Sequence, residues 1–294
     1  MSTRRSFLNQ AGVLAAGLTL AKPNSLFAAA PSKLKVGIQL YSMREYLPKD
    51  PKGTIARIAK AGYTEVETFG YDTAKKSFWG LTPKEFKAVL ADNGLSSPSG
   101  HYGMDQFLIE GKEDELNACI EAAHSLGQTM LVIPYLNEKL RKTAADLKPL
   151  AHKVNGIGEI CKKAGLKTGY HNHNFEFAPV EGVSIYETLL KDTDPNTIQF
   201  EMDIYWVVRA GQDPIKLIKE HPGRFAAWHI KDMDKAKPEL NTEIGSGSID
   251  FKEIFKYQKL SGVKHIYMEQ ENFGMDAYQS ITQSAAYIKN SLLK

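Results

Sequence analysis

Short apolar runs alternate with longer amphipathic segments from about residue 35 to the end of the chain. Eight of the short runs read as strands: 35–41, 64–69, 95–101, 129–134, 167–173, 198–203, 226–231 and 265–270. Most are continuously apolar rather than strictly alternating, the pattern of strands covered on both faces. Between them the spacing predicts helices over 52–61, 83–93, 113–126, 144–164, 184–191, 214–220, 251–260 and 277–292. The first four stop at Gly62, Gly94, Gly127 and Gly165, where glycine ends a helix without steric cost. Eight strand-plus-helix units predict an α/β fold with one closed parallel sheet, a single (β/α)8 TIM barrel over residues 31–294. A doubly wound sheet would need a glycine-rich phosphate turn after its first strand. Here that stretch reads Gln39-Leu40-Tyr41-Ser42-Met43, with no glycine.

Residues 1–30 stand outside this pattern. Thr3-Arg4-Arg5-Ser6-Phe7-Leu8 resembles a twin-arginine export signal, an apolar stretch runs from Ala11 to Ala21, and Ala28-Ala29-Ala30 offers small residues to a signal peptidase. The apolar stretch is shorter than the roughly 20 residues a membrane-spanning helix needs. The expectation is a twin-arginine signal peptide over 1–30, cut after Ala30, with the mature chain in the periplasm and not inserted in a membrane. The charge follows the same division. The whole chain carries +3, while residues 1–30 hold Arg4, Arg5 and Lys22 and no acidic residue. The remainder is neutral and has no electrostatic footprint for nucleic acid. Cys119 and Cys161 both fall in helix-like segments and are expected as buried free thiols.

Active sites of such barrels gather at the C-terminal ends of the strands. Six of the eight predicted strands end in His, Asp or Glu: Glu67, His101, His171 with His173, Asp203, His229 and Glu269. Gln39, Tyr41, Lys231 and Glu271 stand beside them. In Tyr170-His171-Asn172-His173 the two imidazoles are two residues apart, on one face of a strand. Lys231 shares a face with His229 by the same rule. His124, His152 and His221 fall outside these ends and are expected at the surface.

These motifs resemble the xylose-isomerase-like barrel superfamily of sugar isomerases, epimerases and dehydratases. The resemblance rests on Tyr170-His171-Asn172-His173, Glu201-Met202-Asp203, Trp228-His229-Ile230-Lys231-Asp232 and Met268-Glu269. Gly245-Ser246-Gly247-Ser248-Ile249-Asp250-Phe251 is similar to the family's glycine-rich turn before the seventh helix. It implies a metal site from strands five to eight, with His171, Asp203, His229 and Glu269 as ligands. The first of these is usually Glu, so this chain looks like an exported branch with His-Asn-His on strand five. Two imidazoles and two carboxylates suit one divalent ion: Mn, Fe, Co, Ni or Zn.

A divalent ion that polarises a carbonyl favours loss of the neighbouring proton. The expected enzyme is therefore a metal-dependent sugar isomerase, epimerase or lyase acting on an unphosphorylated sugar or glycoside. Glu269, His173, His101 and Lys231 are the candidate catalytic residues. Tyr41, Glu67, His101, His173 and Lys231 are candidate substrate contacts, with Phe69, Tyr102, Tyr205 and Trp206 as possible stacking partners. Glu176 is a candidate for orienting a ligand from behind. The substitution at His171 weakens an epimerase, whose acid–base pair would include the first ligand, and points to a lyase or hydratase of a 3-keto-glycoside. Two other readings stand beside it: a non-catalytic periplasmic sugar-binding barrel, and an abasic-site endonuclease. The neutral mature charge argues against the endonuclease.

Overall fold

The computed structural model describes residues 34–294. The expected export signal and cleavage site lie outside the described residues. The barrel strands are β1 (Gly37–Gln39), β2 (Glu65–Thr68), β3 (Ser96–His101), β4 (Met130–Ile133), β5 (Lys167–His171), β6 (Ile198–Asp203), β7 (Phe225–Ile230) and β8 (His265–Met268). Each is parallel to its neighbours, and β1 pairs with both β2 and β8 to close the ring. The helices around it are α1 (Pro51–Lys60), α2 (Pro83–Asp92), α3 (Asp114–Leu126), α4 (Ala144–Lys163), α5 (Ile185–Asp192), α6 (Ile204–Arg209), α7 (Pro214–Glu220), α8 (Phe251–Phe255), α9 (Gln258–Ser261) and α10 (Ala277–Tyr287). No helix among the described residues is long and apolar enough to cross a membrane.

Local chemistry explains where this differs from the periodicity. The first strand stops at Gln39, not Tyr41, because the Gln39 side-chain oxygen accepts the Tyr41 N–H at 3.1 Å and starts a 3-10 turn over Leu40–Met43. The helix α6 was not foreseen. Asp203 caps it, its Oδ1 accepting the Trp206 N–H at 2.9 Å, so the strand end is also a helix start. The predicted 251–260 helix is broken into α8 and α9.

The apolar core fills the layer between strands and helices, with Phe86, Ile120, Leu150, Phe200, Trp228 and Ile281 among its members. Inside the barrel, Met130, Val132, Ala227 and Tyr267 form a separate small plug. Gly37 is required beside that plug, since a Cβ there would lie 2.7 Å from the Tyr267 ring. Above the plug the interior turns polar. Cys119 and Cys161 are buried free thiols. His124 and His152 are exposed. His221 is partly covered, 3.8 Å from Glu187.

Candidate active site

Side chains of a strand alternate between its faces, so residues two apart on one strand point into the barrel together. On β6 this brings in Glu201 and Asp203, and beyond β7 it sets Lys231 above His229. The result is two stacked polar tiers. In the lower tier Glu67 Oε2 accepts from His229 Nε2 at 2.7 Å and from Gln39 Nε2 at 2.9 Å. Ser99 Oγ donates to Glu67 Oε1 at 2.5 Å. Glu201 Oε2 faces three imidazole nitrogens: His101 Nε2 at 2.7 Å, His171 Nδ1 at 3.1 Å and His229 Nε2 at 3.1 Å.

The upper tier holds Asp203 and Glu269. Asp203 Oδ2 is 4.0 Å from both His171 Nε2 and His229 Nδ1, and Glu269 Oε2 is 3.1 Å from His229 Nδ1. Candidate ligand atoms of His171, Asp203, His229 and Glu269 all lie within 4.8 Å of one another. The four residues singled out from sequence thus come together. Asn172 fixes the spacing of β5 and β6 above, accepting the Asp203 N–H at 3.1 Å and donating to the Asp203 carbonyl at 3.3 Å.

Electrostatics divides the titratable groups. Burial alone would depress His101, but the charges of Glu67 and Glu201 outweigh it and hold the ring up at about 9. Burial pushes His173 down to about 4 and His171 well below the usual imidazole range. Burial lifts Asp203 to about 7, opposed by Lys231. Burial would raise Glu269 and Glu67 as well; Lys231 and His229 hold Glu269 far below the usual range, and His101 and His229 do the same for Glu67.

A cavity of about 490 Å³ opens above this floor. Tyr41, Phe69, Tyr71, Tyr102, Tyr135 and Trp206 contribute to its walls, and His101, His171, His173 and Glu269 reach it from below. Among the described residues lining it there is no Lys or Arg, while Glu115 and Glu271 join Glu269. Tyr41, His101 and His173 are therefore placed where a ligand would touch them. Two expected contacts are not. Glu67 is fully buried beneath the histidines, and its oxygens are taken by Gln39, Ser99 and His229. Lys231 is 1% exposed. Its ammonium is paired with Glu271 and lies 3.6 Å from Glu269 and 5.1 Å from the Trp206 ring centre. Lys231 is a buried counter-charge for those carboxylates, and Glu67 is a buried support for His229. Tyr205 is buried and does not line the cavity. Glu176 orients His173 rather than a ligand, its Oε2 accepting the His173 N–H at 2.8 Å and its Oε1 the Tyr170 hydroxyl at 2.7 Å.

Glu201 is the residue that sequence reasoning passed over. Its signal was present, an acidic side chain two positions before Asp203 on the same strand face.

The residues fit a divalent cation on their own geometry. Asp203 Oδ2 is buried with no hydrogen-bond partner, a costly state for a carboxylate oxygen. Glu67, Glu201, Asp203 and Glu269 are four buried carboxylates, and Lys231 is the buried ammonium among them. Excess buried negative charge is what a bound cation relieves. Each candidate imidazole ligand also has a carboxylate on its far nitrogen, the arrangement that orients metal-bound histidines.

The sequence model of the xylose isomerase-like TIM barrel matches residues 55–291. A crystal structure of a sugar phosphate isomerase/epimerase from Parabacteroides distasonis is 32% identical, covers 90% of this chain and 97% of its own, and superposes with a TM-score of 0.79. The inosose dehydratase of Clostridium perfringens is 28% identical over 152 residues, 46% of this chain. The match spans about half the length of that curated relative (50%). The zinc-bound IOLI protein shares the fold at 13% identity, covering 86% of this chain and 97% of its own, with a TM-score of 0.66. The chain belongs to the xylose isomerase-like TIM-barrel family.

Proposed function

We propose that this protein is a divalent-metal-dependent carbohydrate enzyme that removes a proton next to a carbonyl and expels the substituent on the following carbon. The observation that carries the reading is the convergence of His171, Asp203, His229 and Glu269, with Asp203 Oδ2 buried and unpartnered, beneath an aromatic-walled cavity that His171 and Glu269 line. Those four residues would hold the ion, which when bound supplies polarisation of the substrate carbonyl.

The chain's own groups supply the proton traffic. His173 lines the cavity and its Nδ1 has no partner; it accepts the proton from the carbon beside the carbonyl. His101 also lines the cavity and is hydrogen-bonded to Glu201; it gives a proton to the departing oxygen, which leaves as water or an alcohol while a C=C bond forms. Glu201 and Glu67 stabilise the protonated His101 ring. The aromatic walls stack on the sugar and keep bulk water from the reacting carbons.

Elimination is preferred over epimerisation for a structural reason. An epimerase needs an acid–base group on each face of the substrate, and His171 cannot be one of them. Its Nδ1 is held by Glu201 and its Nε2 is turned toward Asp203. The inosose dehydratase relative supports the same preference. The absence of lysine and arginine from the described cavity lining favours a neutral sugar or glycoside over a sugar phosphate. A 3-keto-glycoside meets these requirements, with its C2 proton removed and its C1 substituent expelled. The arginine pair at Arg4 and Arg5 supports twin-arginine export and action in the periplasm.

The test is incubation of the metal-loaded protein in D₂O with keto-sugars and keto-glycosides. Release of the β-substituent, with deuterium entering the adjacent carbon of recovered substrate or none recovered unreacted, supports elimination. Epimeric products with retained substituents would replace it with an epimerase. Binding without exchange or turnover would leave a sugar-binding barrel.

A further inference from the structure

We propose that Glu201 is a positioning residue that fixes the tautomer of His171 and so turns the ring's remaining lone pair toward Asp203. The inference rests on the metal reading above for its purpose, but the tautomer itself is a property of the metal-free protein.

Glu201 is fully buried, does not line the cavity and is outside the upper quartet. The β6–β7 pairing shifts register between Phe200 and Glu201, with Ala226 of β7 as the extra residue, an irregularity of the kind found beside functional sites. An ionised carboxylate only accepts hydrogen bonds. Every imidazole nitrogen within hydrogen-bond range of Glu201 Oε2 must therefore carry its hydrogen. For His171 that nitrogen is Nδ1, at 3.1 Å. The remaining lone pair of the neutral ring is then on Nε2, the nitrogen facing Asp203 Oδ2 at 4.0 Å.

His229 differs, because a carboxylate faces each of its nitrogens. Its Nε2 lies 2.7 Å from Glu67 Oε2 and 3.1 Å from Glu201 Oε2, and its Nδ1 lies 3.1 Å from Glu269 Oε2, so the same rule fixes no single tautomer for this ring. The opposite tautomer of His171 would press a lone pair against a Glu201 oxygen and aim its N–H bond at the quartet. His101, His171, Glu201 and His229 also form a close donor group. Their short nitrogen-to-oxygen contacts at 2.7 and 3.1 Å are those of a hydrogen-bonded floor, whereas the 4.0 Å gaps around Asp203 are not.

Two variants separate acceptor from charge. Glu201→Met removes the acceptor at similar bulk. Glu201→Gln keeps a carbonyl oxygen for the three imidazoles and can place its amide where Glu201 Oε1 has no partner. Zinc affinity is measured by competition with a chromophoric chelator, and the His171 tautomer by two-bond ¹⁵N–¹H correlations in zinc-free, ¹⁵N-histidine-labelled full-length protein. The expected result is Nδ1–H on His171 in the wild type and in Glu201→Gln. Glu201→Met should lose that assignment and bind zinc roughly 10- to 100-fold more weakly, the range for partners behind metal-bound histidines. Nε2–H on His171 in the wild type overturns the proposal, as does a Glu201→Met protein with the wild-type tautomer and zinc affinity. Should Glu201→Met fail to fold, the wild-type and Glu201→Gln spectra still decide. A wild type that binds no zinc yet shows Nδ1–H on His171 would sink the metal reading while upholding the tautomer assignment.

Discussion

Replacing Asp203 by asparagine should raise the melting temperature of the metal-free protein while abolishing its stabilisation by metal. The two carboxylate oxygens have separate tasks. Oδ1 caps α6 through the Trp206 N–H at 2.9 Å, and asparagine caps as well as aspartate does. Oδ2 is buried, unpartnered and 4.0 Å from two imidazole nitrogens. A buried unsatisfied polar group costs about 1–3 kcal/mol, and more when charged. An amide placed there removes the charge and, with a small movement, donates to Nε2 of His171, the lone-pair acceptor in the proposed tautomer. A net gain of about 1–2 kcal/mol follows, or roughly 2–8 °C for a domain of this size. Metal at 1,000 times its Kd would stabilise the wild type by about 4 kcal/mol and the variant far less. The order of melting temperatures must therefore invert between excess chelator and excess Zn²⁺ or Mn²⁺, which differential scanning fluorimetry reads directly. A variant less stable than wild type in chelator, and stabilised equally by metal, would refute the reasoning.

Other expected outcomes follow from the same geometry. Glu269→Gln should weaken metal binding by at least about 100-fold, the upper end for mere orienting partners, as measured by chelator competition. Glu176 is held up at about 7 by burial. Because its folded value is raised, its stabilising share is complete below the unfolded value near 4.5 and is lost as pH rises through about 7. Glu176→Gln should thus match the wild type at pH 4 and exceed it at pH 8 by about 3 kcal/mol, read from urea melts at the two pH values. Trp206→Ala should raise KM about 3- to 10-fold with little change in kcat, the loss expected for one aromatic stacking face. A fall in kcat alone would place Trp206 outside ground-state binding.

The barrel was legible because eight apolar runs and glycine-stopped helices are local signals, and each strand end could be placed within a few residues. The quartet was legible for a related reason: strand ends in this architecture converge whatever their distance in sequence. What the chain did not disclose is depth. Glu67 and His101 both end a strand, yet Glu67 lies sealed beneath the histidines while His101 reaches the cavity. Lys231 shares the inward face of His229, but its ammonium is buried against Glu271 and Glu269 and does not itself line the cavity. Glu201 was hidden by its neighbour Asp203, since alternation shows which face a residue takes and says nothing of which tier it occupies. These are consequences of side-chain pairing across the barrel, and no pattern along one strand encodes them.

The most direct measurement is anomalous diffraction from crystals of the stripped protein loaded with zinc or manganese, with data collected on both sides of the metal's absorption edge. One peak bonded to His171, Asp203, His229 and Glu269, through Nε2 of His171 and Nδ1 of His229, is the predicted result. A peak seated on Glu201 and His101 instead, or no peak at saturating metal, would contradict the account.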